Sequence, residues 1–291
     1  MKEKDSRWSE LRRTAIITGS SSGFGLVTTL ELAKRGFTVL ATMRNVEKAV
    51  AFNSLTDDED ILRRIEPFPL DVTEEDSVAR FLKKVQSMER VDVLINNAGF
   101  AIGGFAEEVG LGDYRRQFET NVFGVMAVTQ AVLPVMRKQK AGTIINISSV
   151  SGRIGFPGLS PYVSSKHALE GYSESLRLEC APFGIQVALV EPGSYRTNIW
   201  SSGMEVSKHS MAEGSPYSDY MNGMTSKLES SKKKHGEPLE VAELICNLAE
   251  RETITKLRYP IGKGLKLTLV LKQLMPWSWW EKIVLRQILK K

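Results

Sequence analysis

Residues 14 to 25 read Thr-Ala-Ile-Ile-Thr-Gly-Ser-Ser-Ser-Gly-Phe-Gly. The first part is an apolar, β-branched run that predicts a buried strand, and the glycines after it predict a tight loop. From Gly25 to Arg35 apolar residues recur at helical spacing, and Gly36 follows as a stop signal. This stretch therefore predicts a strand, a glycine-rich turn and a helix.

The same alternation continues along the chain. Further strands are predicted at 37–42, 65–70, 91–96, 143–147 and 185–190, and helices at about 74–87, 111–138 and 162–180. Strands separated by helices imply right-handed crossovers and a parallel sheet covered on both faces. We therefore predict a three-layer, doubly wound α/β Rossmann fold with a parallel sheet of about seven strands. Because no repeat or low-complexity linker divides residues 1–291, we expect a single domain.

The glycine loop predicts a dinucleotide-binding site. Its spacing is T-G-x-x-x-G-x-G, which lets backbone N–H groups approach a pyrophosphate at the N-terminus of the following helix. The alternative is a tight turn without a ligand, and the strand and helix on either side favour binding. The candidate residues are Gly19, Ser21, Ser22, Gly23, Phe24 and Gly25.

Further motifs, in this order, resemble the short-chain dehydrogenase/reductase family over about residues 12–200. They are Asp71-Val72, Asn96-Asn97-Ala98-Gly99, Asn121, Ser149, the Y-x-x-x-K pair Tyr162 and Lys166, Pro192-Gly193 and Thr197. The resemblance implies an oxidoreductase that acts on CH–OH groups with NAD(P). It also implies cofactor contacts at Asp71, Val72, Asn97, Ala98, Gly99, Tyr162, Lys166, Pro192, Gly193 and Thr197.

A second Y-x-x-x-K, from Tyr259 to Lys263, serves as a control. Pro260 and Gly262 lie inside it, so we expect no helix there and no shared face for its end residues. Tyr162 and Lys166, in contrast, lie in a predicted helix, where residues i and i+4 share one face.

The resemblance assigns a role to each catalytic candidate. Tyr162 is the general acid/base, Ser149 hydrogen-bonds the substrate oxygen, and Lys166 holds the ribose of the cofactor. A free tyrosine has a pKa of about 10, and we expect the charges of Lys166 and the oxidised nicotinamide to lower it. Asn121 is expected to link the lysine to a water relay.

Two rival functions come from other classes. Ser149 and His167 suggest a serine hydrolase, but no G-x-S-x-G elbow occurs and His167 directly follows Lys166 in the helix. The second rival is a non-catalytic NADP-binding sensor or regulatory protein with the same fold. Filled catalytic positions favour the enzyme over the sensor.

The end of the second strand indicates which cofactor is bound. NAD-selective sites place an acid there, whereas this strand ends in Leu40-Ala-Thr-Met-Arg44. Thr42 takes the expected acidic position, and Arg44 can pair with a 2′-phosphate. We therefore predict NADP(H) rather than NAD(H); the alternative is that Arg44 is merely solvated.

Several stretches resemble the 17β-hydroxysteroid and retinol dehydrogenase branch of the family. They are Val39 to Arg44, Arg90 to Leu94, Ala168 to Gly171, Ala181 to Gly184 and Gly23-Phe24-Gly25. The branch implies a small hydrophobic substrate, such as a steroid, a retinoid or a long-chain aldehyde or ketone. Residues 201–238, rich in Ser, Lys, Met and Gly, are either a surface excursion or a substrate lid with Met204, Met211, Met221 and Met224 as contacts.

Composition excludes several classes of protein. Hydrophobic residues make up 42% and charged residues 25%, values that exclude a disordered chain, a fibre or a coiled coil. No run of 18 uncharged apolar residues predicts a membrane-spanning helix. The two cysteines and three histidines predict neither a disulfide framework nor a metal site. Residues 1–13 lack the apolar segment of a secretory signal, so we expect a cytoplasmic protein.

The positive charge lies mostly in the C-terminal tail, residues 256–291, which has nine basic residues and one acid. Nucleic-acid binding is disfavoured because the basic residues lie among Leu, Ile and Trp. The spacing predicts an amphipathic helical extension that packs on the body or a subunit, contacts a membrane surface or covers the substrate entrance. The family resemblance implies a homodimer or homotetramer through the two long helices.

Overall fold

The computed structural model describes residues 13–197, 203–231 and 235–289. Residues 1–13, for which no secretory signal is predicted, lie outside the described residues except for Arg13. Small parts of the expected lid and the last two residues of the tail also lie outside them.

A parallel sheet of seven strands forms the centre of the fold, in the order β3-β2-β1-β4-β6-β7-β9. Its strands are Thr14–Thr18 (β1), Thr38–Met43 (β2), Ile65–Pro69 (β3), Val93–Asn96 (β4), Gly142–Ile147 (β6), Ile185–Pro192 (β7) and Arg258–Ile261 (β9). Two short strands, Ala101–Gly103 (β5) and Met204–Val206 (β8), pair separately. Because β1 pairs with both β2 and β4, the strand order reverses beside it, which is where such folds bind their ligands.

Helices cover both faces of the sheet, as predicted. They are Gly23–Lys34 (α1), Glu75–Gln86 (α2), Leu111–Gln139 (α3), Ser160–Cys180 (α4), Ser218–Ser231 (α5), Pro238–Ala249 (α6), Leu265–Leu274 (α7) and Trp277–Leu289 (α8). Single helical turns without a label lie at Val46–Ala49, Val50–Asn53, Glu59–Leu62, Val150–Gly152, Ala181–Phe183 and His209–Met211.

Alternate strand residues fill two separate cores. Ala15 and Ile17 of β1 pack with α1 and α6, whereas Ile16 faces the layer made by α2, α3 and α4. The inner strands β1, β4 and β6 are therefore buried on both faces, which explains their apolar sequence. The doubly wound, three-layer α/β fold is confirmed, while the single domain over 1–291 stays a prediction.

By length and composition alone, one helix among the described residues could cross a membrane. This is α3, whose most apolar 18-residue window has a mean hydropathy of 1.2 and is 44% buried inside the protein. Val128, Val132 and Met136 pack in the core against Ile144. Core packing therefore accounts for the apolar composition of this helix.

Two elements differ from the expectations. Residues 218–231 form the helix α5, although their sequence has only weak periodicity. Arg258–Ile261 is the seventh strand, so Tyr259 lies in a strand and the control Y-x-x-x-K indeed forms no helix. The tail forms the two helices α7 and α8, so the predicted helical extension is present.

Candidate active site

The carboxyl ends of the central strands open into a cavity of about 780 Å³. Most predicted site residues line it: Gly19, Ser21, Ser22, Gly23, Phe24, Arg44, Asp71, Val72, Asn97, Ala98, Gly99, Ser149, Tyr162, Lys166, Pro192, Gly193 and Thr197. The position agrees with the binding crevice of a doubly wound fold. Gly25 and Asn121 do not line the cavity.

The glycine loop is shaped by backbone conformation and close approach. Gly19 and Gly23 have φ angles of +70° and +55°, a region that glycine adopts without strain. A Cβ on Gly25 would overlap the carbonyl oxygen of Gly19, so Gly25 shapes the loop from behind. Ser22 precedes α1 with no side-chain cap, which leaves the first N–H groups of that helix directed at the cavity.

Asn97 fastens this loop to the neighbouring strand end. Its Nδ2 donates to the carbonyl oxygens of Thr18 at 2.9 Å and Gly19 at 3.0 Å. Thr18 Oγ1 in turn accepts from the backbone N–H groups of Asn97 and Ala98, both at 3.0 Å. The side-chain amide of Asn97 therefore holds the glycine loop in position.

Three side chains converge at the inner end of the cavity. Tyr162 and Lys166 are both buried on one face of α4, with Nζ of Lys166 5.7 Å from the Tyr162 ring centroid. Nζ of Lys166 donates to the carbonyl oxygen of Ile147 at 2.8 Å. Ser149 is hydrogen-bonded with Tyr162, and its Oγ accepts from the N–H of Ser151 at 3.1 Å. The hydroxyl groups of Ser149 and Tyr162 can therefore meet the same substrate oxygen.

Burial dominates the titration of this cluster. Desolvation raises the pKa of Tyr162 to about 12, against a smaller lowering by the hydrogen bond with Ser149. Desolvation also lowers the pKa of Lys166 to about 8, which Glu170 partly opposes. In the chain alone the pKa of Tyr162 is therefore raised, because desolvation is the largest influence on it. The lowering expected from Lys166 together with the oxidised nicotinamide stays a prediction.

Two cations stand at the opposite end of the cavity. Arg44 follows β2 directly, and Lys48 lies in the turn after it; both are exposed and line the cavity. Neither makes an ion pair with another described residue. Thr42, expected at the acidic position, is buried and donates to the carbonyl oxygen of Ile17 at 3.1 Å. The strand runs one residue further than predicted, so Met43 and Arg44 face the cavity instead.

Comparison with known proteins identifies the family. A family model described as short chain dehydrogenase matches residues 13–207. The chain belongs to the short chain dehydrogenase family. The resemblance drawn from the motifs is thereby confirmed, and with it an oxidoreductase fold that binds a nicotinamide cofactor.

Three similar proteins illustrate the range of this family. The uncharacterized oxidoreductase YusZ of Bacillus subtilis is 50% identical over 277 residues, covering 95% of this chain and 99% of its own. Human retinol dehydrogenase 8 is 39% identical over 204 residues, 69% of this chain and 64% of its own. A structure described as ElxO with NADP bound has a TM-score of 0.73 at 30% identity and covers 88% of this chain and all of its own.

Asn121 lies in the long helix α3, as expected, and its link to a water relay stays a prediction. It lies in a π-helical turn of α3, Glu119–Phe123, and is buried away from the cavity. Its Nδ2 donates to the carbonyl oxygen of Phe100 at 3.1 Å and to Ser165 Oγ at 3.2 Å. The side chain of Asn121 thus joins α3 to α4 and makes no direct bond with Lys166.

Sequence motifs missed part of the dehydrogenase cavity. The further lining residues are Met43, Lys48, Leu70, Thr73, Phe100, Arg116, Glu119, Thr120, Ile147, Ser148, Tyr195, Gly203 and Glu205. Arg116 bonds Glu205 at 2.8 Å, which draws β8 over the cavity. Lys48 could have been found from its spacing after Arg44. The Arg116–Glu205 pair, in contrast, joins segments that lie far apart in sequence.

The segment expected to form a lid packs against residues in and beside β5 and before α4. Tyr217 stacks on Phe105 with ring centroids 4.2 Å apart. Met204 and Met224 fill the space over Gly103 and Gly158. Met211 is exposed, so it is not a contact of this kind. Gly203 and Glu205 are the described residues of this segment that line the cavity.

His167 is exposed on the outer side of α4, where its Nδ1 lies 2.9 Å from the carbonyl oxygen of Val163. This position separates His167 from Ser149, so the serine hydrolase hypothesis loses its proposed pair of residues.

Proposed function

We propose that this dehydrogenase reduces the carbonyl group of a hydrophobic substrate with NADPH and can oxidise the corresponding alcohol in reverse. The observation that carries the proposal is the buried Tyr162, hydrogen-bonded with Ser149 in the same cavity as the glycine loop. At neutral pH a tyrosine with a pKa of about 12 holds its proton and is ready to act as an acid.

The described residues fit a phosphorylated nicotinamide dinucleotide. The uncapped start of α1 and the glycine loop suit a pyrophosphate, and the unpaired Arg44 and Lys48 suit a 2′-phosphate. The NADP-bound neighbour supports the same choice. NADP(H) is therefore proposed rather than NAD(H).

Each residue of the site has a separate role in the proposed reaction. When bound, the cofactor supplies the hydride. Ser149 holds the substrate oxygen through a hydrogen bond, and Tyr162 donates its proton to that oxygen from Oη. Lys166, anchored by Ile147, stabilises the phenolate that remains on Tyr162. Asn121 braces α3 against α4, so its role is to position the catalytic helix.

The substrate class rests on likeness and on apolar lining. Phe100, Val72 and Ile147 line the cavity, and the related retinol dehydrogenase 8 supports a steroid, retinoid or long-chain carbonyl compound. The expected homo-oligomer and cytoplasmic location stay predictions.

Oxidation of NADPH and NADH at 340 nm with a panel of steroid ketones, retinal, long-chain aldehydes and small ketones tests the proposal. Tyr162→Phe should lower turnover at least about 100-fold and leave cofactor affinity unchanged. Tyr172→Phe is the matched control, because Tyr172 lies on the same helix with a pKa also raised to about 12. Tight NADPH binding without turnover across the panel would favour the sensor.

A further inference from the structure

Helix α7 exposes an apolar stripe to solvent. Leu267, Val270, Leu271 and Leu274 recur at the i, i+3, i+4, i+7 spacing of one helical face, and all are exposed. Leu267 is 64% and Leu274 78% exposed. The opposite face packs on the body through the buried Leu265. A surface helix ordinarily directs polar residues outward, so this face indicates contact with an apolar phase.

Helix α8 adds aromatic and basic groups beside this stripe. Trp277 and Trp279 are each 63% exposed, and Ile283 is exposed one turn after Trp279. Nζ of Lys272 lies 5.9 Å from the centroid of the Trp277 ring. Indole rings next to lysines are typical of segments that lie at the boundary between lipid headgroups and acyl chains.

The positive charge of the tail favours an anionic bilayer over a second copy of the chain as the partner of this face. Lys263, Lys266, Lys282 and Arg286 are exposed, and none makes an ion pair within the described part of the chain. A second copy docking through the same face would bring two basic surfaces together, which is unfavourable. A bilayer with anionic headgroups offers both an apolar interior and the opposite charge.

We propose that α7 and α8 form a docking surface for an anionic lipid bilayer, with Leu267, Val270, Leu271, Leu274, Trp277 and Trp279 inserted at the acyl boundary. The binding is peripheral, because α7 has only ten residues and α8 thirteen. Basic side chains beside the inserted residues pair with lipid phosphates.

The docking surface lies next to the catalytic cavity. Leu265, at the start of α7, fills the space over Gly193, which lines that cavity. Ile288 of α8 fills the space over Gly223 of α5, and Met224 of the same helix covers Gly158. Docking therefore places the cavity wall at Gly193 near the lipid, a short path for an apolar substrate if the function proposed above holds.

Vesicle co-sedimentation of the full-length chain tests the docking surface. We expect binding to phosphatidylcholine vesicles that contain phosphatidylglycerol, little binding to phosphatidylcholine alone, and weakening by salt. Leu274→Glu should reduce the bound fraction at least about tenfold, because a carboxylate replaces an inserted leucine. Leu111→Glu is the matched control, since Leu111 is 71% exposed and lies at the start of α3, outside the docking surface.

Vesicle binding tests the docking surface without any measurement of carbonyl reduction, so the two proposals can fail separately. Equal vesicle binding by wild type and Leu274→Glu, or no binding to anionic vesicles, would overturn the docking surface. Light scattering provides the second readout: a concentration-dependent rise in mass that Leu274→Glu abolishes would assign the face to a second copy instead. Because both leucines are exposed, unchanged melting temperatures should show that the variants fold.

Discussion

Arg258 donates from Nε to Oε2 of Glu170 at 2.8 Å and thereby ties the last strand of the sheet to the helix that carries Tyr162 and Lys166. The same Nε lies 3.4 Å from Oε1 of Glu191. Both carboxylates are buried, and each keeps one oxygen without a partner among the described residues. Arg258 therefore compensates the buried Glu170 of α4 and lies close to the buried Glu191, which also pairs with Arg153.

Replacement of Arg258 by methionine should destabilise the fold by about 3 kcal/mol, because it removes the ion-pair partner of the buried Glu170. The chain length of methionine preserves much of the packing. Chemical denaturation of the two proteins measures the difference. Arg63→Met is the control: its partner Glu59 is exposed, and the free energy of unfolding should change by less than about 1 kcal/mol. Equal effects of the two substitutions would contradict the prediction.

Glu191 should make stability depend on pH. Burial, and secondly the neighbouring Glu170, raise the pKa of Glu191 to about 7. A free glutamate titrates near pH 4.3, so the folded chain holds an extra proton between about pH 4.3 and 7. Stability from this group is therefore present at low pH and is lost as the pH rises through that window.

Glu191→Gln should remove this loss, because the amide stays neutral and can still accept from Arg153. Urea denaturation of both proteins between about pH 5 and 8 measures the slope. The variant should lose less stability than wild type over this range. The same slope in both proteins would show that another group is responsible.

Glu170 is predicted to act as a positioning residue for the reaction proposed above. It lies one turn after Lys166 and opposes the lowering of the lysine pKa by burial. Glu170→Gln should therefore lower that pKa further, and the fall of kcat/KM at high pH should begin at a lower pH than in wild type. Glu174→Gln, which removes the exposed partner of Arg258, is the control and should leave the profile in place.

The sheet could be predicted from sequence up to β7 because β1, β2, β4, β6 and β7 are apolar runs between helical segments. The strand at Arg258–Ile261 was missed because four residues with a proline give no alternating pattern. Pro260 is tolerated there because β9 lies at the edge of the sheet, where a missing N–H breaks no central ladder. Helix α5 was missed because its contacts, such as that of Tyr220 with the Phe105 ring, come from tertiary packing.

The candidate site could be predicted wherever a motif fixes the local backbone. Gly19 and Gly23 adopt positive φ angles, and Tyr162 and Lys166 share a helical face, as their spacing indicates. The Asn97 bonds to the glycine loop span nearly eighty residues, so no local pattern reveals them. The desolvation that controls the pKa of Tyr162 likewise depends on the assembled core.

Cofactor selection should depend on Arg44 and Lys48 together. Arg44→Ala should weaken NADPH about 10- to 100-fold and leave NADH nearly unchanged, because a charge-assisted bond to a 2′-phosphate is lost. Lys48→Ala should have a smaller effect in the same direction, since an ammonium pairs as a point charge. Fluorescence titration with both cofactors measures the affinities. Equal losses for NADPH and NADH would contradict the assignment to the 2′-phosphate.

Gly25 and Gly171 should respond to alanine in opposite directions. A Cβ on Gly25 would overlap the carbonyl oxygen of Gly19 and crowd Nδ2 of Asn97, so the glycine loop must shift. We expect Gly25→Ala to destabilise the fold by about 2 kcal/mol and to weaken cofactor binding. Gly171 lies within α4 with nothing within 4 Å of the added atom.

Gly171→Ala should stabilise the fold by about 0.5–1 kcal/mol, because alanine restricts the unfolded chain and favours the helix. Thermal denaturation with and without NADPH separates the two effects. The stabilisation by cofactor should be reduced in Gly25→Ala and retained in Gly171→Ala, since the first changes the loop and the second lies away from it. Undiminished stabilisation by NADPH in Gly25→Ala would mean that the shape of the loop does not control cofactor binding.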